Sequence, residues 1–183
     1  MKLYYNNMFF RLIIVALLFC SCASDLDFNL TKDLKLEPVF VANLTYFDIK
    51  ANTFIDNGRE HDVVFDVQDF DVFRDSFFRD NLKKVQFDFE INNTISRGYI
   101  VSLVFLDANN QVTYSTEIDV PAYSNTPNIV KHTDVFENQT LDSLKKSVKL
   151  EISITMSSGA PLTKDSPGSL KLRSGATVYF EIK

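Results

Sequence analysis

The sequence predicts an all-β fold: an antiparallel β-sandwich with immunoglobulin-like or Greek-key connections and one or two short helices between strands. Three observations carry this prediction. The segments KVQFDFEIN (84–92), VTYSTEIDV (112–120) and VKLEISITM (148–156) alternate apolar and polar side chains, the pattern of strands with one dry and one wet face. Eight or nine short strand-like runs are separated by turn-forming residues. The wet faces carry Lys, Glu and Asp, which suits a water-facing sandwich and not a membrane barrel, whose outer face must be apolar.

The sandwich is expected over 39–183, with strands at 39–49 and 63–67 first. Residues 70–82, FDVFRDSFFRDNL, are the most Phe-dense stretch outside the N-terminus. As a helix, at about 100° per residue, they gather Phe70, Phe73 and Phe77 on one arc, with Phe78 and Leu82 roughly 100° further round. Asp75 and Arg79 then pair at i,i+4. The arc of three is expected against the sandwich, while Phe78 and Leu82 either wrap onto the core or remain an apolar patch for a partner.

Strand 84–92 sets Val85, Phe87, Phe89 and Ile91 opposite Lys84, Gln86, Asp88 and Glu90. Residues 99–106 are apolar on both faces, as suits a central strand, and DANN (107–110) turns them back into 112–120. There Val112, Tyr114, Thr116, Ile118 and Val120 share a face. A strand at 129–133 follows. TLDSLKKS (140–147) has a cap residue and Leu141 and Leu144 at helical spacing, so a short helix is expected. Strand 148–156 faces Val148, Leu150, Ile152, Ile154 and Met156 inward. Two final strands, 169–173 and 176–182, are expected on either side of Ser174–Gly175. In the last, Ala176, Val178, Phe180 and Ile182 turn Tyr179 outward.

The N-terminus has a different character. Lys2 and Arg11, with no acid, precede the apolar run LIIVALLF (12–19), and small residues follow; this is the layout of a secretory signal. The run is too short to span a bilayer, which needs about 20 residues. Both cysteines lie at its exit, Cys20 after bulky Phe19 and Cys22 after Ser21. A bridge between them would sit near the upper limit of disulfide geometry and close too small a loop to stabilise anything larger. Two cysteines and two distant histidines do not make a zinc site. The segment ending at Cys22 resembles the lipobox of bacterial lipoproteins, departing from it at Phe19, where Leu is usual. The acidic ASDLD stretch behind Cys22 resembles the export signal of Bacteroidota lipoproteins. The resemblance implies that residues 1–21 are removed, that Cys22 becomes the acylated N-terminus, and that the protein is anchored by lipid at the outer membrane, on its periplasmic or cell-surface side. Residues 22–38 then form the lipidated start and a tether of about 16 residues, reaching roughly 55 Å if extended.

Residues 1–21 carry two bases and no acid, so the chain after them has 17 bases against 24 acids and a net charge of −7. That balance disfavours nucleic acid as a partner. No nucleophile elbow, phosphate loop, HExxH or CxxC is present, and no catalytic residue, cofactor or metal is expected. The acidic residues Asp66, Asp69, Asp71 and Asp75 lack the order of a calcium loop. His61 and His132 are expected on the surface without a role. DSL (142–144) resembles the O-glycosylation acceptor of Bacteroidota and would place a glycan on Ser143. The function expected is a non-catalytic binding or assembly module for a cell-envelope or outer-membrane protein, with Phe78, Leu82 and Tyr179 as candidate partner surface. The alternative is a carbohydrate-binding surface lipoprotein, although the chain has no tryptophan to stack on a sugar; a hydrolase is the weakest expectation.

Overall fold

The computed structural model describes residues 35–65, 68–126 and 128–182. Cys22 and the signal and tether segments up to residue 34 lie outside them, as does Asp66 of the acidic run.

Two antiparallel sheets face each other. The first contains β1 (Val39–Lys50), β11 (Ser169–Phe180), β6 (Leu82–Asn93) and β9 (Ile129–Glu137), side by side in the order β1-β11-β6-β9. The second places β7 (Tyr99–Leu106) between β10 (Lys149–Met156) and β8 (Val112–Val120), and the short β4 (Val63–Val64) and β5 (Gln68–Asp69) both pair with the far side of β10. A separate hairpin joins β2 (Ile55–Asp56) to β3 (Arg59–Glu60). Its two loop residues, Asn57 and Gly58, both take positive φ, the turn whose twist matches the flanking strands.

Of the long strands, only β7 and β8 form a hairpin within one sheet. The connections β6–β7, β8–β9, β9–β10 and β10–β11 each cross between sheets, and the last strand returns beside the first. The connections are thus Greek-key in kind, wound in the order of a jelly roll. The sheets do not close into a barrel.

The strictest alternation gives the driest faces. Val85, Phe87, Phe89 and Ile91 of β6 are buried, as are Leu150, Ile152 and Ile154 of β10. Phe87 stacks on Phe105 of the opposite sheet at 5.7 Å and meets Phe136 edge-on at 5.1 Å, and Tyr114 closes on Phe136 at 4.7 Å. This aromatic layer joins the sheets without tryptophan or disulfide. Each fully buried Phe contributes about 1.5–3 kcal/mol.

Three expectations are revised. First, Ser174–Gly175 does not divide two strands: β11 runs unbroken through it, paired with β1 and β6 on either side. The irregularity lies in β1, whose register shifts between Asn43 and Tyr46. The Ser174 hydroxyl occupies that bulge, accepting from Thr45 N at 2.9 Å and donating to Thr45 O at 2.8 Å. Second, the connecting helix α2 starts earlier, at Asn138–Leu144, because Glu137 and Thr140 form a reciprocal capping box. Third, β7 is central as expected, but only Tyr99, Val101, Leu103 and Phe105 are buried, while Ile100 remains exposed on the other face.

Candidate interaction surfaces

The Phe-rich stretch 70–82 is not one helix. A 3-10 turn covers Asp71–Arg74 and a separate helix α1 covers Ser76–Asn81. Between them Asp75 is extended, and its carboxylate accepts the Phe77 N–H at 2.7 Å, an N-cap that favours a helix start over helix continuation. Asp75 therefore caps instead of pairing with Arg79, which lies 3.7 Å from Asp80. The break rotates the rings out of the expected arc. Phe70 and Phe73 are buried, Phe78 is half-buried, and Phe77 is 45% exposed. Leu82 leaves the helix altogether: it opens β6 and is only 2% exposed, so it is core and cannot belong to a partner surface.

Phe180, at the end of β11, collects the neighbouring rings. Phe77 stacks on it at 5.6 Å, while Phe78 and Phe40 meet it edge-on at 5.2 and 5.8 Å. Phe40 belongs to β1, which pairs with β11 and with no other strand among the described residues. Its free side is a long edge bearing apolar side chains: Val39, Phe40 and Val41 are all exposed, Val41 at 76%, and exposed Leu36 extends the same ladder by bridging Ile182. Natural sandwiches usually blunt such an edge with charge or proline. Here Pro38 stands at one end and the bulge at residues 44–45 at the other, leaving 39–43 as a short open template.

The register of the four-stranded sheet fixes its outer face, row by row. Val39, Tyr179, Lys84 and Glu137 lie across one end; Asn43, Gly175, Asp88 and Thr133 cross the middle; Tyr46, Arg173, Glu90 and Lys131 form the next row. Tyr179 does point outward, but it is half-buried beneath Lys84, whose Nζ lies 5.4 Å from the ring centre and 3.0 Å from Glu137. At the middle rows, glycine leaves a hollow of about 540 Å³, with a second of about 350 Å³ on the other side of Arg173 towards Tyr46.

The histidines differ from one another. His61 is exposed, with Nδ1 2.8 Å from its neighbour's carbonyl oxygen, Asp62 O. His132 is half-buried on the inner face of β9, opposite Thr116 of β8, so it is not the free surface residue expected. Its Nε2 lies 2.8 Å from Asp134 Oδ1 and 3.1 Å from Thr116 Oγ1. A nucleophile relay needs the two ring nitrogens on different partners; here one nitrogen serves both, and the group closes the gap between two edge strands. Asp69, Asp71 and Asp75 are dispersed over β5, the 3-10 turn and the cap, and no group of three or more metal-ligating side chains occurs among the described residues. Ser143 is half-buried on α2.

Sequence patterning gave no signal for a polar knot at one end of the sandwich. Arg97, 8% exposed, donates from Nε to Ser157 O at 2.5 Å, from Nη1 to Ala160 O at 2.6 Å and from Nη2 to Glu60 at 3.3 Å. Glu60 accepts the Leu162 N–H at 2.6 Å. Fully buried Asn93 donates to Arg97 O and Pro121 O at 2.7 and 2.8 Å, and accepts from Ile95 N at 2.9 Å. Each guanidinium nitrogen of Arg97 and the Asn93 amide bonds to the protein's own loops, so the knot fixes connections. An isolated Arg in a loop has no periodicity to reveal that it is buried.

The class these features define is a two-sheet jelly-roll domain with an apolar strand edge and a polar outer sheet face. No protein-family model matches the sequence, and no curated protein does. Among solved structures, the chain is similar to VP2 of the infectious bursal disease virus subviral particle, at 7% identity and TM-score 0.45, over 78% of this chain and 33% of that one. It is also similar to a protein of Parabacteroides distasonis inferred to be secreted, at 16% identity and TM-score 0.41, over 63% and 37%, and to a protein of Desmodium yellow mottle tymovirus, at 14% identity and TM-score 0.32, over 81% and 90%. The chain spans about a third of the length of the VP2 chains. Likenesses at this identity concern the fold alone.

Proposed function

We propose that the protein is a lipid-anchored, non-catalytic binding or assembly module of the outer membrane that engages another envelope protein through the free edge of β1. The observation that carries this reading is the exposed run Val39–Val41 near Leu36 and Phe77, on a strand that pairs with β11 on one side and with no other strand among the described residues. An extended segment of a partner would add to the sheet by main-chain hydrogen bonds and set its side chains against Val41 and the Phe40–Phe77 rings. Contiguous exposed apolar surface of this kind marks interaction sites in soluble domains. The anchor reading rests on the sequence around Cys22, about 14 residues before Leu36, a reach of roughly 50 Å.

Two experiments divide the proposal. Fatty-acid labelling and membrane fractionation are expected to be lost in Cys22→Ser and kept in Cys20→Ser; labelling that follows Cys20 would overturn the anchor assignment. Independently, co-purification of a discrete envelope protein from native membranes is expected with the wild type and not with Val41→Lys. An identical set of co-purifying proteins from both would remove the β1 edge as the binding surface.

A further inference from the structure

We infer that the outer face of the four-stranded sheet carries a binding site for carboxylate-bearing pyranosides, centred on Gly175 and held by Arg173, Asn43 and Tyr46. This site is separate from the β1 edge and does not depend on the anchor.

Gly175 is the first observation. It lies inside the longest-paired strand of the sheet, between β1 and β6, where glycine is destabilising by roughly 0.5–1 kcal/mol relative to alanine. Neither backbone nor packing demands it. Its φ is not in the left-handed region, and an added Cβ would approach nothing closer than Ala42 O at 3.6 Å, an ordinary contact. What the missing side chain does is leave the floor of the hollow between Asn43 and Asp88 open.

The second observation is an imbalance of hydrogen-bonding groups around that floor. The carboxylates have cationic or donor partners of their own: Asp88 takes the Thr133 hydroxyl at 2.7 Å and the Gln86 amide at 3.0 Å, and Glu90 lies 3.6 Å from Lys131. The other polar groups have no such partners. Among the described residues, the Arg173 guanidinium makes no ion pair, although Glu90 is its register neighbour, and the Asn43 amide and Tyr46 hydroxyl make no hydrogen bond. Arg97, by contrast, bonds within the protein through each of its three nitrogens. An unpaired planar cation beside an unpartnered amide and hydroxyl suits an anionic ligand that also offers hydroxyl groups, and the guanidinium fork matches a carboxylate bidentately.

The third is a ring in the adjoining hollow, which shares Arg173 and Asn43 with the first. Tyr46 is 62% exposed and sits directly across from Arg173 in the register. A broad, exposed aromatic face beside hydrogen-bonding groups fits the apolar face of a pyranose better than it fits free phosphate or a small carboxylic acid. Ring and carboxylate together specify the uronide class.

The test is calorimetric titration of the full chain in detergent with oligogalacturonate and with oligoglucuronate, each against its methyl ester, which keeps the ring and removes the charge. Binding of at least one acid is expected, weakened tenfold or more by esterification, by Arg173→Gln and by Gly175→Val, with Tyr46→Ala weakening it less. Thermal melts check folding, and Arg173→Lys, which keeps the charge without the fork, is expected to recover only part of the affinity. No binding of either acid, equal affinity for acid and ester, or affinity unchanged in Arg173→Gln would each overturn the inference.

Discussion

At the residue scale, a single carboxylate decides the fate of four phenylalanines. Asp75 caps α1 through the Phe77 N–H, and the resulting break places Phe73 in the core and Phe77 on the rim. Truncation should separate them. Phe73→Ala is expected to cost about 3–5 kcal/mol and Phe77→Ala to stay within about 1 kcal/mol, read from urea midpoints at constant slope. Equal losses would mean that the rings share one buried arc after all. Tyr114 gives a pH test. Burial, and after it the nearby Asp134 carboxylate, push its phenol up to about 12, whereas a free tyrosine ionises near pH ~10. Between these values the unfolded chain binds fewer protons than the fold, so the stability this phenol lends is complete below pH ~10 and is lost as pH rises through about 12. Buried Tyr99 is shifted upward the same way. Tyr114→Phe is therefore expected to make the alkaline decline in melting temperature shallower; an unchanged decline would remove Tyr114 as one of its causes.

At the element scale, legibility followed period. Strands with one buried face were readable because alternation records that face directly, as in β6 and β10. Elements defined by a local polar contact were not. Ser174–Gly175 looks like a turn in sequence, yet β11 runs through it, and the bulge of the partner strand, filled by the Ser174 hydroxyl, accounts for the serine there. Of the candidate partner surface, Tyr179 was placed on the correct face by alternation, but its cover by Lys84 was invisible. Leu82 has helical spacing to Phe78, but α1 ends at Asn81 and Leu82 opens β6, a boundary that spacing alone does not mark. Asn57–Gly58 is a strong hairpin signal in the sequence and forms the β2–β3 turn. Two glycines test this account of the backbone. Gly168 has φ +100°, and a Cβ there would collide with the Thr94 carbonyl, whereas Gly175 has room. Gly168→Ala should destabilise by more than about 1 kcal/mol and Gly175→Ala should be neutral or slightly stabilising, again by denaturant unfolding.

At the scale of the whole molecule, the jelly-roll winding brings the first strand beside the last and leaves β1 as the outer member of its sheet. The same winding puts the point where the chain enters the sandwich, Leu36 paired with Ile182, beside the apolar edge. On the proposed account the chain therefore enters the sandwich beside the partner-binding edge, and the polar outer face of β11 and β6 is left to a second ligand. The most direct measurement of the central claim is site-specific photo-crosslinking in native membranes, with the reactive group placed at Val41 and, as control, at Ile100 on the opposite sheet. The account predicts one discrete heterologous adduct from Val41, lost when Phe77→Asp is added, and none from Ile100. No adduct from Val41, the same adducts from both positions, or an adduct of two copies of this chain would contradict it.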